Sequence, residues 1–256
     1  LQSAGIDAKS IILEPTARNT APAIAVAALA AHAENRDAII VVMPSDHIVK
    51  DEASFINAVM QAALVAATGR LVLFGIKPNE PHTGYGYIRR SESIPGFDGR
   101  AFAVGGFTEK PDRATAENYL ASNDYYWNSG IFVLHAATFL DEMARLAPDV
   151  LEAARTAYTD RTQDIGFERL DPSAFARSPS ISIDYAVMEK TNRAAVLPIE
   201  VGWNDVGSWS SLWEIAPRDE NGNYADNDAI LQDTTNCYIH SERSLVSTIG
   251  VRDLVI

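Results

Sequence analysis

The feature that most constrains the fold is an unbroken apolar run from Ala38 to Met43. A strand with one solvated face would alternate polar and apolar side chains, and this run does not. A short continuous run rich in β-branched residues is typical of a parallel strand buried on both faces. Pro44 ends the run, and Asp46 follows at the carboxyl end of the strand, where ligands bind in open α/β sheets. We therefore expect the chain to be organised around this strand and its terminal carboxylate.

Strand and helix patterns alternate on either side of this run. The predicted elements are a strand over 11–14, a helix over 21–34 with Thr20 as N-cap and Pro22 in its first turn, the strand over 38–43, a helix over 52–67 and a strand over 71–75. This order predicts a right-handed βαβ unit in a doubly wound α/β sheet.

After residue 76 the alternation becomes irregular. We expect strands over 86–90, 102–109, 131–134 and 194–199, and helices over 137–146 and 149–159. Asp112 can cap a further helix to about Ser122, and Ser182 or Asp184 opens a short helix to Lys190. From residue 221 onward the chain changes to short β segments separated by turns. The sequence therefore predicts a first domain over 1–220 and the start of a separate β module over 221–256.

Composition excludes several classes of partner. The 256 residues carry a net charge of −13, which argues against a nucleic-acid surface because a phosphate backbone requires a basic footprint. No apolar run approaches the length of a membrane helix, and we expect no signal peptide. The single cysteine, Cys237, fits a reducing compartment and leads us to expect a cytoplasmic protein.

Two carboxylates follow apolar strands far apart in the sequence. Asp46 lies in Ser45-Asp46-His47, which is no nucleophilic triad because neighbouring extended residues point to opposite faces. Asp205 lies in the glycine- and tryptophan-rich stretch 202–209. Together they could share one Mg²⁺. The alternatives are a helix-capping Asp46, an Asx turn at Asp205, and a hydrogen-bonded structural His47.

Polar residues at other predicted strand ends are candidate ligand contacts. Glu109 and Lys110 precede Pro111, where a bend could bring a hydroxyl acceptor and a phosphate-binding cation to one site. Gly86 could let backbone approach a ligand, and Asn128 could donate its amide to a hydroxyl. The residues Arg18, Asn19 and Thr20 precede a helix whose free N–H groups could meet an anion or a base edge. The alternatives are a solvated charge pair, plain turns and simple capping.

These motifs together resemble the sugar-1-phosphate nucleotidyltransferases, and among them the bacterial mannose-1-phosphate guanylyltransferase group. The matching stretches are EPTARNTAPA at 14–23, MPSDH at 43–47, GYGYI at 84–88, FTEKP at 107–111, WNSGIF at 127–132, SIDYAVMEK at 182–190 and GWNDVGSW at 202–209. They occur in the family's order and cover nearly the whole chain.

The resemblance implies a Rossmann-like nucleotide-diphospho-sugar transferase sheet with helices on both faces. It also implies nucleotidyl transfer, in which GTP and mannose 1-phosphate give GDP-mannose and pyrophosphate for polysaccharide biosynthesis. By matching position, Asp46 and Asp205 would hold Mg²⁺, Glu109 and Asn128 would contact mannose hydroxyls, and Lys110 would bind the sugar phosphate. The Gly86 backbone would approach the sugar, and the loop at 14–23, with Arg18, Asn19 and Thr20, would face the guanine. A homodimer is compatible with this reading.

The family's glycine-rich signature loop has no match in this sequence, so we expect the chain to begin after that segment and to lack the triphosphate cradle. Long members carry a β-helix-like segment and then an isomerase domain. Residues 221–256 resemble the start of the former, and we expect no isomerase activity.

Other interpretations stay open. These are the same chemistry on another sugar or nucleotide, and a silent nucleotide-sugar-binding regulatory subunit. A glycosyltransferase is disfavoured because its two metal-binding acids usually lie close in sequence.

Overall fold

The computed structural model describes residues 5, 7–226 and 228–256. Its strands are β1 (Ile12–Leu13), β2 (Ile39–Val42), β3 (Ile48–Val49), β4 (Leu71–Ile76), β5 (Tyr87–Ser93), β6 (Phe102–Thr108), β7 (Tyr125–His135), β8 (Thr162–Asp164), β9 (Phe167–Arg169), β10 (Ala194–Ile199), β11 (Trp203–Asn204), β12 (Tyr224–Ala225), β13 (Ala229–Gln232), β14 (Tyr238–Ile239) and β15 (Val246–Ile249). Its helices are α1 (Thr20–Glu34), α2 (Glu52–Ala66), α3 (Arg113–Ser122), α4 (Ala136–Leu146), α5 (Pro148–Thr159), α6 (Pro172–Ala176), α7 (Trp209–Ile215) and a π-helix (Asp184–Met188).

The described residues divide into two compact units. Unit one comprises the described residues up to Pro44 together with Ala53–Glu200, and unit two comprises Ser45–Glu52 together with Val201–Ile256. The domain boundary that the sequence predicts at residue 220 stays a prediction.

A mixed six-stranded sheet forms the centre of unit one, in the order β2-β7-β4-β10-β6-β5. Strands β4 and β10 are parallel, whereas β7 runs antiparallel to both β2 and β4. Strands β5 and β6 form an antiparallel pair, and β5 also pairs antiparallel with the first residues of β7. The four residues Leu71 to Phe74 of β4 have no exposed surface, so this strand is the buried middle of the sheet.

Helices cover both faces of this sheet. Leu71 and Leu73 share one hydrophobic cluster with residues of α1, α4 and α5. Phe74 points to the opposite face because side chains alternate along a strand, and there its ring meets Phe55 of α2 at 5.7 Å between centroids. The α/β fold class is therefore confirmed. In the part of the chain that the structure describes, no helix is long and apolar enough to span a bilayer.

The prediction that the strand over 38–43 is parallel to its neighbours and buried on both faces is wrong. Strand β2 is an edge strand of the described sheet, it pairs only with β7, and Val41 keeps 39% of its surface exposed. A continuous apolar run records which residues can be buried, but it does not specify the neighbouring strand.

The expected βαβ unit is also absent from the described sheet. Strand β1 pairs in parallel with β9 in a separate three-stranded sheet. The helix that follows β1 is capped by Asn19, whose Oδ1 accepts the Thr20 backbone N–H at 2.8 Å, and not by Thr20. Asn19 holds a left-handed φ of 66°, which asparagine tolerates better than most residues.

Unit two is built from short paired strands. Strands β3 and β11 are antiparallel, whereas β12 with β14 and β13 with β15 are parallel. A further parallel bridge joins Tyr238 to Val255, so Tyr238 is paired on both sides. Successive parallel pairing of short strands is typical of the stacked coils of a β-helix.

Candidate functional site

Five polar or glycine positions converge in unit one, and we call them the unit-one cluster: Gly86, Glu109, Lys110, Asn128 and Asp184. Strand β6 ends at Thr108, and Lys110 takes a left-handed φ of 49°. The chain bends there, so Lys110 Nζ lies 3.7 Å from Glu109 Oε1. The Glu109 side chain is only 13% exposed, whereas that of Lys110 is 64% exposed. The bend thus presents a buried carboxylate beside a cation that reaches solvent.

Gly86 lies where an added side chain would displace a neighbouring carboxylate. A Cβ at this position would collide with Glu109 Oε2 and would approach the Asn128 Cβ to 3.3 Å. The Gly86 carbonyl accepts the Asn128 backbone N–H at 2.8 Å. Gly86 therefore lets the Glu109 carboxylate lie directly against the backbone.

Asn128 lies within β7 and not in a turn before the strand, which corrects the expected strand at 131–134. Its Nδ2 donates to Asp184 Oδ1 at 2.9 Å, and its Oδ1 accepts the Gly130 N–H at 3.2 Å. Sequence reasoning missed Asp184 as a site residue. The available signal was the stretch 182–190, which resembles the family but was given no role.

Burial perturbs both carboxylates of the unit-one cluster. Desolvation raises the pKa of Glu109, and the nearby Asp184 raises it further, although Lys110 opposes this effect. Desolvation also raises the pKa of Asp184, while the hydrogen bond from Asn128 lowers it. The cluster therefore holds two carboxylates that resist ionisation, with one neighbouring lysine to offset their charge.

The first residues of α1 contact the segment that leads to Asp184. Thr20 Oγ1 accepts the Ile183 N–H at 2.9 Å, and the Ala21 N–H donates to the Ile181 carbonyl at 3.1 Å. Arg18 donates its Nη2 to the Ala176 carbonyl. Arg18, Asn19 and Thr20 thus form a hydrogen-bonded corner at the start of α1.

Asp46 and Asp205 are brought together in unit two. The antiparallel pairing of β3 with β11 sets Asn204 opposite Ile48, so Asp205 and Asp46 extend from adjacent strand ends. Desolvation lowers the pKa of His47, and the charges of both carboxylates oppose this effect without overcoming it. His47 accepts a hydrogen bond from Trp203 Nε1 at its Nδ1, 3.2 Å away, as the structural interpretation of this histidine predicts.

Two carboxylates suit Mg²⁺, which takes one or two of them and completes its shell with water and phosphate oxygens. A Cβ at Gly207 would lie 2.9 Å from Asp205 Oδ2, so this glycine keeps space open beside the carboxylate. Among the described residues, no group of three or more His, Cys, Asp or Glu side chains is arranged to hold a metal. The Asp46 and Asp205 carboxylates are the donor types that Mg²⁺ takes.

Comparison with known proteins identifies a family and relatives that match most of the chain. A family model described as "Nucleotidyl transferase" matches residues 3–222. The xanthan biosynthesis protein XanB of Xanthomonas campestris pv. campestris is 49% identical over 256 residues, which is 100% of this chain and 54% of that protein. A mannose-1-phosphate guanylyltransferase of Escherichia coli K12 is 49% identical over 251 residues, covering 97% of this chain and 52% of that protein.

The fold has a close counterpart among solved structures. The crystal structure of a Thermus thermophilus protein described as "mannose-1-phosphate geranyltransferase" superposes with a TM-score of 0.82 at 32% identity, covering 95% of this chain and 69% of that one. The chain spans about half the length of the curated relatives it matches. The resemblance inferred from the sequence is confirmed, and the chain belongs to the nucleotidyl transferase family.

Proposed function

We propose that this chain carries the nucleotidyl-transfer machinery of a mannose-1-phosphate guanylyltransferase. In the reaction, a phosphate oxygen of mannose 1-phosphate forms a bond to the α-phosphorus of GTP. The bond between that phosphorus and the bridging oxygen breaks, and pyrophosphate leaves with the electron pair. The products are GDP-mannose and pyrophosphate.

The observation that carries this proposal is the unit-one cluster. A relative that is 49% identical is named a mannose-1-phosphate guanylyltransferase. Glu109 accepts hydrogen bonds from sugar hydroxyls, and Asn128 contacts the same face of the sugar. Lys110 Nζ reaches solvent beside Glu109 and binds the sugar phosphate. Gly86 lets the sugar approach the backbone, and the corner at Arg18, Asn19 and Thr20 faces the guanine base.

No strong base is required, because the attacking phosphate is already an anion. The protein's work is therefore alignment and charge neutralisation. We assign Asp46 and Asp205 as the residues that hold Mg²⁺. When bound, Mg²⁺ neutralises charge on the phosphates and favours loss of pyrophosphate.

The test is to supply GTP, mannose 1-phosphate and Mg²⁺ to the full-length protein and to measure pyrophosphate. We expect release that requires all three components. Absence of release, or a strong preference for another nucleoside triphosphate or sugar phosphate, would overturn the assignment of GTP and mannose. Tight GDP-mannose binding without turnover would instead indicate a regulatory subunit.

The metal assignment is tested by Asp205→Asn in the full-length protein. This change keeps the shape of the side chain but removes one anionic ligand, so turnover at limiting Mg²⁺ should fall by at least roughly 100-fold. Asp228→Asn is the matched control, since Asp228 is an exposed carboxylate elsewhere in unit two. Equal activity of the two variants across a Mg²⁺ titration would contradict a metal role for Asp205.

The remaining proposals concern the binding partners, the oligomeric state and the location of the protein. The sugar phosphate and the nucleotide are its partners, with no nucleic acid or membrane, and a homodimer is compatible with the fold. A cytoplasmic location follows from the reducing compartment that the single Cys237 favours.

A further inference from the structure

The stretch 182–190 has no part in the roles assigned so far, yet it delivers a carboxylate to the unit-one cluster. Asp184 is the first residue of the π-helix, and its Oδ1 accepts the Asn128 Nδ2 hydrogen bond at 2.9 Å. π-Helices are rare and are frequent at functional sites. Asp184 therefore contacts a proposed sugar-binding residue from a separate element, 56 residues along the chain.

This contact determines what the Asn128 amide can offer to a ligand. The amide has two N–H donors and an oxygen with two lone pairs. One donor is taken by Asp184, and one lone pair by the Gly130 N–H. One donor and one acceptor remain, in a fixed order, which matches a hydroxyl pair on a sugar ring. Without the carboxylate, the amide could rotate and exchange the positions of its donor and acceptor.

The backbone that carries the Asp184 carboxylate is also held in place. The segment before it is hydrogen-bonded to the start of α1, through Ile183 N–H to Thr20 Oγ1 and Ala21 N–H to the Ile181 carbonyl. Ala186, Val187 and Met188 of the same π-helix are buried in the core. The position of Asp184 is thus fixed by backbone and packing, independently of Asn128.

The placement of Asp184 carries a cost for folding. Burial disfavours its charged form, and the Glu189 carboxylate disfavours it further, while Asn128 and Lys110 oppose this effect. A buried carboxyl group whose pKa is raised by burial and by a neighbouring charge is typical of a functional site.

We propose that Asp184 is a positioning residue that orients the Asn128 amide and thereby sets which sugar hydroxyl arrangement the site accepts. The inference rests on the proposed function, because it presumes that Asn128 contacts the sugar. Asp184 itself need not touch the substrate.

A double-mutant cycle in the full-length protein tests this assignment. The variants are Asp184→Ala, Asn128→Ala and the pair, with Tyr185→Phe as the matched control, since Tyr185 is the exposed neighbour on the same π-helix. We expect Asp184→Ala to raise KM for the sugar 1-phosphate by about tenfold, with KM for the nucleotide changed by less than about twofold. The double variant should match Asn128→Ala, because Asp184 acts only through that amide.

Selectivity and rescue give further readouts. Asp184→Ala should lower the preference for mannose 1-phosphate over glucose 1-phosphate, which differs in the orientation of one ring hydroxyl. Asp184→Asn keeps a carbonyl acceptor and should recover most of the lost affinity. Asp184→Asn should keep the heat stability of the parent, because its carbonyl oxygen still accepts the Asn128 hydrogen bond without a buried charge.

Additive effects in the cycle, equal rises in both KM values, or a loss of heat stability without a change in selectivity would overturn the proposal. If the protein prefers another sugar 1-phosphate, the guanylyltransferase assignment fails, and the same cycle run with that sugar still decides the role of Asp184. A readout independent of turnover is the Asn128 side-chain amide signal in NMR spectra. One of its two protons should exchange slowly with water in the parent and rapidly in Asp184→Ala, and unchanged exchange would also overturn the proposal.

Discussion

Single side chains in the unit-one cluster are fixed by contacts that leave almost no spare volume. Gly86 shows this most clearly, because its missing side chain is the space that Glu109 Oε2 occupies. Glu109 is in turn only 13% exposed and cannot move outward without losing its place beside Lys110. A functional carboxylate is thus positioned by a residue that has no functional group.

Gly86→Ala should displace the Glu109 carboxylate, since Cβ and Oε2 cannot occupy the same volume. We expect kcat/KM for the sugar 1-phosphate to fall by about 100-fold, the loss typical of a misplaced binding group. Gly106→Ala is the matched control, because a Cβ there would meet its nearest neighbour, Arg89, at an ordinary 3.7 Å. Steady-state kinetics of both variants checks this prediction, and equal kinetics would show that Glu109 needs no such space.

At the scale of helices and strands, the sequence predicts local signals well. Asp112 was expected to cap a helix ending near Ser122, and its Oδ1 does accept the Thr115 N–H at 2.8 Å at the start of α3. The signal is contained within four residues, so no distant information is required.

Non-local pairings were predicted poorly. The apolar run at 38–43 does not indicate that β2 pairs with β7, and the short β1 gives no sign that its partner is β9. Likewise, Asp184 joins the candidate site through its hydrogen bond with Asn128 and its charge interaction with Glu109. Such contacts depend on chain topology. A single sequence shows the motifs involved but does not show which distant residues they contact.

A buried carboxylate outside the candidate site, Glu142, joins α4 to the residues that follow the π-helix. Glu142 of α4 is 5% exposed and accepts hydrogen bonds from Arg145 at 2.7 Å and from Thr191, while Arg193 lies 3.6 Å away. Burial alone would raise its pKa, but the hydrogen bonds from Arg145 and Thr191 outweigh this effect and lower the pKa. Glu142 therefore ties α4 to the residues that follow the π-helix.

Glu142→Ala should lower the free energy of unfolding by about 1 kcal/mol at pH 7, because it removes the hydrogen bonds from Arg145 and Thr191 and the ion pair with Arg193, and both arginines are half-exposed. Since the folded-state pKa is lowered, the carboxylate's contribution is present above its ordinary pKa of about 4.3 and is lost as pH falls through the lowered value. The difference between parent and variant should therefore shrink in acid. Denaturant unfolding at several pH values measures this, with the exposed neighbour Asp141→Ala as control. A difference that is independent of pH would contradict the ionic role.

At the scale of the whole chain, each unit has strand pairings and buried contacts of its own. Unit one has the six-stranded sheet and its helices. In unit two, Asn223 is 2% exposed and joins three segments. Its Nδ2 donates to the Thr234 carbonyl at 2.8 Å, its Oδ1 accepts the Cys237 N–H at 3.0 Å, and its own N–H donates to Asp219. The Asn223 side chain thus bonds to both ends of the turn that joins β13 to β14.

Asn223→Ala should therefore destabilise unit two selectively. The change leaves buried backbone groups at Thr234 and Cys237 without their partner, which costs on the order of 2 kcal/mol or more. Hydrogen exchange should become faster at residues 223–256 and stay unchanged at the buried strand β4, whereas Glu142→Ala should accelerate exchange within unit one. Asn221→Ala is the matched control, because Asn221 is exposed two residues away. Uniform acceleration across both units after either change would show that the chain unfolds as one cooperative body, and that the two compact units have no separate stability.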